Sequence, residues 1–325
     1  MRRREFIGVL GIGLAPWPRV VIAQTTSKVL RLGMVSQNPR AVPFTVAFER
    51  RLHELGYSEG QTLFVEYIDT EGQVQRIAEG MREVVRRGVD VLLAGGPEDS
   101  LKSALAATSK LPIVMIAIDY DPVALGYVQS LARPGGQVTG IHFQQTELAS
   151  KRLQLIKEAL PDLKAVTVFW DRFSADQWMA TERAAAELGL KLIGVHLDEQ
   201  PFDYARAIAQ APQDYRSCLL VMTSPTVFRD RQRLAEFALS SRIATMFVLR
   251  EHVEIGGLMS YGANIVSIYR RAAEIVDQVA KGTNPADIPI EQPTKFELVI
   301  NVKTAKALDL TLPAALLARA DELIE

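Results

Sequence analysis

Short apolar runs alternate with amphipathic segments along most of the chain, and this alternation constrains the fold more than any other feature. Residues 30–35, 62–68 and 89–94 are predicted strands, and residues 44–55 and 74–87 between them carry apolar side chains at helical spacing. Strands joined by helices of this length are parallel, because the crossover must return the chain to the same end of the sheet. The sequence therefore predicts an α/β fold built on parallel sheets.

The pattern occurs twice, which predicts two lobes. The first series closes with a strand at 138–143, and the second runs from a helix at 146–160 to a strand at 245–249. A chain of 325 residues also exceeds the size at which one core usually stops growing. We expect two doubly wound parallel-sheet lobes joined by several crossover strands. Lobe 1 is predicted to comprise residues 28–143 and about 261–300, lobe 2 to comprise residues 144–260, and the C-terminal segment 301–325 is left unassigned.

The N-terminus has the pattern of a cleavable export signal. A basic head at Arg2-Arg3-Arg4 precedes an apolar run at 9–15, and small residues lead to Ala23. The run is too short and too rich in glycine to span a bilayer. Residues 3–7 resemble a twin-arginine signal, and an ordinary Sec signal or an N-terminal helix are the alternatives. We expect residues 1–23 to be removed and the mature protein to lie in the periplasm.

Composition excludes several classes of partner. No other stretch supplies the roughly 18 apolar residues that a membrane helix needs, so we expect no membrane insertion. Without residues 1–23 the chain has 33 basic and 37 acidic residues, and this balance favours neither nucleic acid nor an anionic membrane. The lone Cys218 provides no internal disulfide. The four histidines lack metal-ligand spacing, and phosphate-loop and nucleophile-elbow motifs are absent from the sequence. We expect a monomer without cofactor or metal.

The candidate binding site follows from the predicted strand ends. In open parallel sheets, ligands bind beyond the carboxyl ends of the strands, where helix N-termini present free N–H groups. In the first lobe the candidates are Ser36, Gln37, Gly96, Pro97, Ser100, Asp119 and Asp121. In the second lobe they are Trp170, Asp171, Thr223, Ser224 and Arg250, together with Tyr261 at a predicted recrossing. This mixture favours a polar or zwitterionic solute with an apolar body.

The first-lobe candidates each have a structural alternative. The N–H groups before Ser100 can hold a ligand carboxylate, or Glu98 and Asp99 can simply cap that helix. Asp119 and Asp121 can accept an ammonium group, although Asp121 before a proline also favours a turn.

Each of the second-lobe candidates discussed next also has a structural alternative. Trp170 can stack on a planar ligand or close the core. Arg250 can clamp a carboxylate, pair with Glu251, or form an ion pair between the lobes. Tyr261 is either a hinge residue or a ligand contact.

Four stretches carry a family resemblance: residues 52–60 (LHELGYSEG), Asp121-Pro122-Val123 with residues 134–140 (PGGQVTG), residues 256–262 (GGLMSYG), and residues 292–301 (QPTKFELVIN). Together they resemble the substrate-binding proteins of ABC transporters, in the family that includes tryptophan-binding, TrpX-type proteins with the type I periplasmic-binding fold. The resemblance implies an uptake role, permease and ATPase partners, and ligands such as aromatic or other amino acids. The chain departs from relatives at residues 96–100, where they often carry Gly-Thr-Pro-Ala-Ala, and at Ser224 and Phe247.

The hypothesis is a periplasmic solute-binding protein of an ABC uptake transporter, not an enzyme. It would bind a small polar or aromatic, amino acid-like solute between its lobes, and the closed form would be recognised by the permease. One alternative is a binding protein that reports to a sensor kinase. A less favoured alternative is an isomerase that uses facing carboxylates such as Asp119 and Asp171.

Overall fold

The computed structural model describes residues 29–143, 145–198 and 200–325, so the predicted export signal lies outside the described residues. The first sheet has strand order β2-β1-β3-β4-β5 and is parallel throughout. Its strands are β1 (Leu30–Ser36), β2 (Leu63–Asp69), β3 (Val91–Gly96), β4 (Ile113–Ile118) and β5 (Val138–Phe143).

The second sheet has strand order β12-β11-β10-β9-β8-β6-β7, and only the β10–β11 pair is antiparallel. Its strands are β6 (Ala165–Trp170), β7 (Lys191–His196), β8 (Cys218–Val221), β9 (Ala244–Phe247), β10 (Met259–Ala263), β11 (Phe296–Asn301) and β12 (Glu322–Ile324). We call the first sheet with its helices the first lobe, and the second sheet with its helices the second lobe.

Helices connect the parallel strands. They are α1 (Pro43–Glu54), α2 (Ile77–Arg86), α3 (Glu98–Ala107), α4 (Ala149–Ala159), α5 (Ala175–Glu187), α6 (Tyr204–Ile208), α7 (Pro225–Arg229), α8 (Arg231–Ser240), α9 (Glu251–Glu254), α10 (Ile265–Ala280), α11 (Val302–Ala307) and α12 (Ala314–Arg319). Single 3-10 turns lie at 74–76, 146–148, 213–215 and 285–287.

Both sheets are covered by helices on both faces, because their strands are apolar on both sides. In the first lobe α1 and α10 pack on one face and α2 and α3 on the other. In the second lobe α4, α5 and α12 form one layer and α6 and α8 the other. The predicted α/β fold with two doubly wound parallel sheets is confirmed.

The chain passes between the lobes three times: after β5, at Asn264 between β10 and α10, and along the segment between α10 and β11. The third passage lies against β5, where Glu291 donates its N–H to Gly140 O at 3.0 Å and accepts that of His142 at 2.8 Å. Arg152 of α4 ties the first passage to β10, because it donates to the carbonyls of Gln145 and Tyr261. Three adjacent passages of this kind form a hinge without a flexible linker.

The structure differs from the predicted boundaries in the C-terminal third. Residues 261–300 were predicted in the first lobe, yet β10 and β11 belong to the second sheet and only α10 between them packs in the first lobe. The C-terminal segment also joins the second sheet through β12. The helical segment before β9 is divided into α7 and α8, because Asp230 leaves helical geometry (φ −93°, ψ 11°).

Candidate functional site

A cavity of about 70 Å³ lies between the carboxyl ends of the two sheets. First-lobe residues that line it are Ser36, Gln37, Asn38, Phe44, Gly95, Gly96, Pro97, Ser100, Ile118, Asp119, Ile265 and Tyr269. Second-lobe residues that line it are Phe173, Thr223, Ser224, Pro225, Phe228 and Leu249. Eight of the thirteen sequence-predicted site residues are among them. The contribution of both lobes makes this the place where a ligand would hold them together.

The N-terminus of α3 faces the cavity from the middle of the first sheet. Its N-cap residue is Pro97, which has no side-chain oxygen to cap the first-turn N–H groups. The acidic residues of that turn have other partners: Glu98 accepts the hydroxyl of Tyr127, and Asp99 pairs with Arg172 of the second lobe at 3.6 Å. The Ser100 N–H donates to Pro97 O, which leaves the N–H groups of Glu98 and Asp99 and the helix dipole for a ligand carboxylate.

The side-chain amide oxygens of two buried residues after β1 have no hydrogen-bond partner among the described residues. Gln37 and Asn38 are only 4% and 6% exposed. Within the described ranges, nothing pairs with Oε1 of Gln37 or Oδ1 of Asn38. Their backbones are fixed, since Tyr67 donates to Asn38 O at 2.8 Å and Arg229 donates to Gln37 O at 2.8 Å. Buried polar groups are normally paired, so these two amides are placed to bind a polar atom of a ligand.

Asp119 follows β4 with a left-handed backbone (φ 63°). One carboxyl oxygen accepts the Gln145 N–H at 2.5 Å and the other accepts the Gln177 amide at 2.8 Å. Gln177 belongs to the second lobe and also bonds the backbone of Thr223. Burial raises the pKa of Asp119 to about 7, although the Gln145 N–H and Arg152 act in the opposite direction.

The second-lobe wall is organised by a buried carboxylate outside the cavity lining. Asp171 accepts from the hydroxyls of Ser174, Ser224 and Thr226 and from the N–H of Phe173. The Ser224 hydroxyl in turn caps α7 by accepting the Val227 N–H at 3.1 Å. Because its oxygens are occupied by these donors, Asp171 organises the loop and does not line the cavity beside Asp119.

Aromatic rings close the cavity from both lobes. The ring centroid of Phe44 lies 5.2 Å from that of Phe228 in the second lobe and 4.6 Å from that of Tyr269. The hydroxyl of Tyr269 packs closely against Gly95, where an added Cβ would lie 2.8 Å from the hydroxyl oxygen. These rings offer an apolar surface to the body of a ligand.

The remaining sequence-predicted residues lie outside the lining, for identifiable reasons. Trp170 stacks on Trp178 with centroids 5.9 Å apart. Asp121 accepts the N–H groups of Val123 and Ala124 and so closes its own turn. Arg250 bonds Glu254, Glu297 and Glu322 within the second lobe, and Tyr261 presents its carbonyl to Arg152 at the hinge. The cavity lining therefore does not include five of the residues predicted from the sequence, namely Trp170, Asp121, Asp171, Arg250 and Tyr261.

Sequence reasoning missed several lining residues. Asn38 lies two residues beyond the end of β1 and Phe173 three residues beyond the end of β6, so both positions fall under the strand-end rule. Ile265 and Tyr269 lie on α10, whose docking at the cavity depends on the interlobe arrangement, and no local pattern indicates it. No local pattern indicates Gln177 either, which lies outside the lining and bonds Asp119.

The described residues include neither a membrane-spanning helix nor a cluster of metal-ligating side chains. No helix among them has the length and apolar character to cross a membrane. No cluster of three His, Cys, Asp or Glu side chains within these ranges could hold a metal ion.

Two doubly wound lobes, three passages between them and a cavity at the facing strand ends define a two-lobed solute-binding protein with the type I periplasmic-binding fold. Comparison with known proteins agrees, since the family "ABC transporter substrate binding protein" matches residues 44–324. The chain belongs to this family.

Individual relatives are distant. The chain is 23% identical over 286 residues to a tyrosine-binding protein of Clostridioides difficile (strain R20291), a match that covers 87% of this chain and 81% of the relative. An ABC domain from Streptococcus pneumoniae, solved in complex with L-Trp, aligns with TM-score 0.80 and 24% identity over 91% of this chain and 100% of the other. A conserved domain protein from Vibrio cholerae aligns with TM-score 0.79 and 23% identity over 91% and 99% of the two chains.

Proposed function

We propose that this substrate-binding protein captures an α-amino acid with an apolar or aromatic body and delivers it to an ABC permease and its ATPase. The observation that carries the proposal is the cavity itself, which combines N–H groups of α3, unpaired amides and aromatic walls from both lobes. The names of the tyrosine-binding relative and of the L-Trp complex are consistent with this class of solute.

Delivery requires that the protein be exported. The basic and apolar N-terminal sequence supports a signal peptide at residues 1–23, of the twin-arginine or Sec type, and a periplasmic location. A monomer is sufficient for the proposed role, because one chain supplies both walls of the cavity.

The first test is a thermal-shift screen of the purified protein against L-amino acids, aromatic acids, nucleosides and sugars. A ligand at about 100 times its dissociation constant stabilises the folded protein by about 2.7 kcal/mol. We expect selective stabilisation by one or a few amino acids, recovered unchanged after incubation. Stabilisation only by sugars or nucleosides, or conversion of the compound, would contradict the proposal.

A second test separates transport from sensing. Deletion of the gene should abolish uptake of the radiolabelled amino acid that binds. Normal uptake together with a lost transcriptional response to that amino acid would favour the sensor-kinase alternative.

A further inference from the structure

We propose that the carboxyl group of Asp119 holds a cationic amino group of the ligand, and that the same carboxyl links ligand capture to closure of the lobes. This inference rests on the proposed function, because it names a property of the solute that the same cavity selects. Amino compounds should bind, and acids of the same shape without the amino group should be rejected.

The distribution of charge around the cavity supports the assignment. Among the described residues that line it, Asp119 is the only one with a formally charged side chain. Two second-lobe arginines reach across to the first lobe, but Arg172 pairs with Asp99 and Arg229 with Asp69. A ligand anion therefore meets only neutral N–H and amide groups, whereas a ligand cation meets a carboxylate.

The hydrogen bonds of Asp119 explain how one group can serve both purposes. Its oxygens bond the first interlobe passage through Gln145 and the second lobe through Gln177. A carboxylate has about four lone-pair positions, so two remain for ligand N–H groups. A ligand ammonium at Asp119 would favour the ionised carboxyl, which is the form that accepts from Gln145 and Gln177 together. Binding and closure would then stabilise each other.

The protonation state of Asp119 should also change when the ligand binds. Burial raises the pKa of Asp119 to about 7, so the empty site is partly protonated at neutral pH. The charged groups that face it are Arg152 of α4, which lowers the pKa, and Asp176 of α5, which raises it. When an ammonium group binds, the carboxylic acid becomes a carboxylate and its proton passes to the solvent buffer. Ligand binding should therefore release protons.

The first experiment is isothermal titration with L-tyrosine and L-tryptophan in buffers of different ionisation enthalpy. We expect about 0.5 proton to be released per ligand at pH 7 and close to none at pH 8.5. We also expect the dissociation constant to rise by up to about tenfold for each pH unit below pH 7. Asp119→Asn should abolish the proton release and weaken binding about 10- to 100-fold. Asp176→Asn removes the same charge from an exposed position outside the lining, and should change affinity less than about threefold.

The second experiment uses only the unaltered protein, so it does not depend on folding of a variant. L-Tyrosine is compared with 3-(4-hydroxyphenyl)propionate, and L-tryptophan with 3-indolepropionate, which lack only the amino group. We expect each amino acid that binds to exceed its deamino acid by about 10-fold or more. Equal affinities, or binding without proton release at pH 7, would overturn this inference alone. No binding of any L-amino acid would overturn the proposed function and this inference with it.

Discussion

Arg229 of α7 links the two lobes directly, and its removal should weaken ligand binding without unfolding either lobe. Its guanidinium donates to Gln37 O at 2.8 Å and pairs with Asp69 at 3.0 Å, both in the first lobe. We consider Arg229→Met, which keeps the apolar stem of the side chain and removes the charge.

The expected magnitude follows from the exposure of the pair. The two side chains are 30% and 28% exposed, which limits the ion pair to about 0.5–1 kcal/mol. The hydrogen bond from a charged donor to a part-buried carbonyl adds about 1.5 kcal/mol. Loss of about 2 kcal/mol from the closed complex corresponds to an approximately 30-fold weaker apparent affinity.

Isothermal titration with the best amino acid from the screen measures this change, and small-angle X-ray scattering reports whether the liganded variant stays more open. Arg172→Met is the matched control, because its interlobe contact to Asp99 is longer, at 3.6 Å, and its side chain is 64% exposed. It should weaken binding less than about threefold. The reasoning would be refuted if Arg229→Met bound within threefold of the unaltered protein, or if Arg172→Met lost as much affinity.

Three further predictions concern stability. Asp171→Ala should lower the free energy of unfolding, measured by urea titration, by about 2–4 kcal/mol, because it leaves buried hydroxyls without their acceptor. An unchanged free energy of unfolding would contradict the role given to Asp171. Gly140→Ala should prevent accumulation of folded protein, because the added Cβ would lie 2.0 Å from Met115 O and the φ of Gly140 is +139°. Gly136→Ala is the control and should be tolerated, because its Cβ would meet nothing within 4 Å. Burial lowers the pKa of His252 to about 3. Its unfolded form gains a proton below about pH 6.5 while the folded form does not, so stability is lost as pH falls, by about 2 kcal/mol between pH 6.5 and 5. His252→Asn should reduce this acid loss, and an equal loss in the variant would count against the assignment.

Much of the fold could be predicted because its signals are local. Each parallel strand is a short apolar run, and each connecting helix has its own spacing of apolar residues. The strands β1, β2, β3, β5 and β9 therefore lie within a few residues of their predicted positions. The placement of β11 and β12 in the second sheet could not be predicted. Which sheet an extended segment joins depends on pairing with distant strands, such as Leu298 with Tyr261, and not on its own sequence.

The candidate site was predictable only in part, for a related reason. The strand-end rule located Gln37, Ser100 and Ser224, because the ends of parallel strands meet at one edge of each sheet. It also selected Trp170 and Arg250, because it gives the position of a residue but not the direction of its side chain. Partners on neighbouring elements decide that direction, as when Arg250 turns towards Glu322.

The most direct test of the account is a crystal structure of the protein at pH 8 with the L-amino acid that gives the largest thermal shift. The account predicts the ligand between the lobes, with its carboxylate at the N-terminus of α3 and its amino nitrogen about 2.7–3.2 Å from a carboxyl oxygen of Asp119. A ligand bound outside this cavity, or bound within it with its amino group away from Asp119 and paired elsewhere, would contradict it.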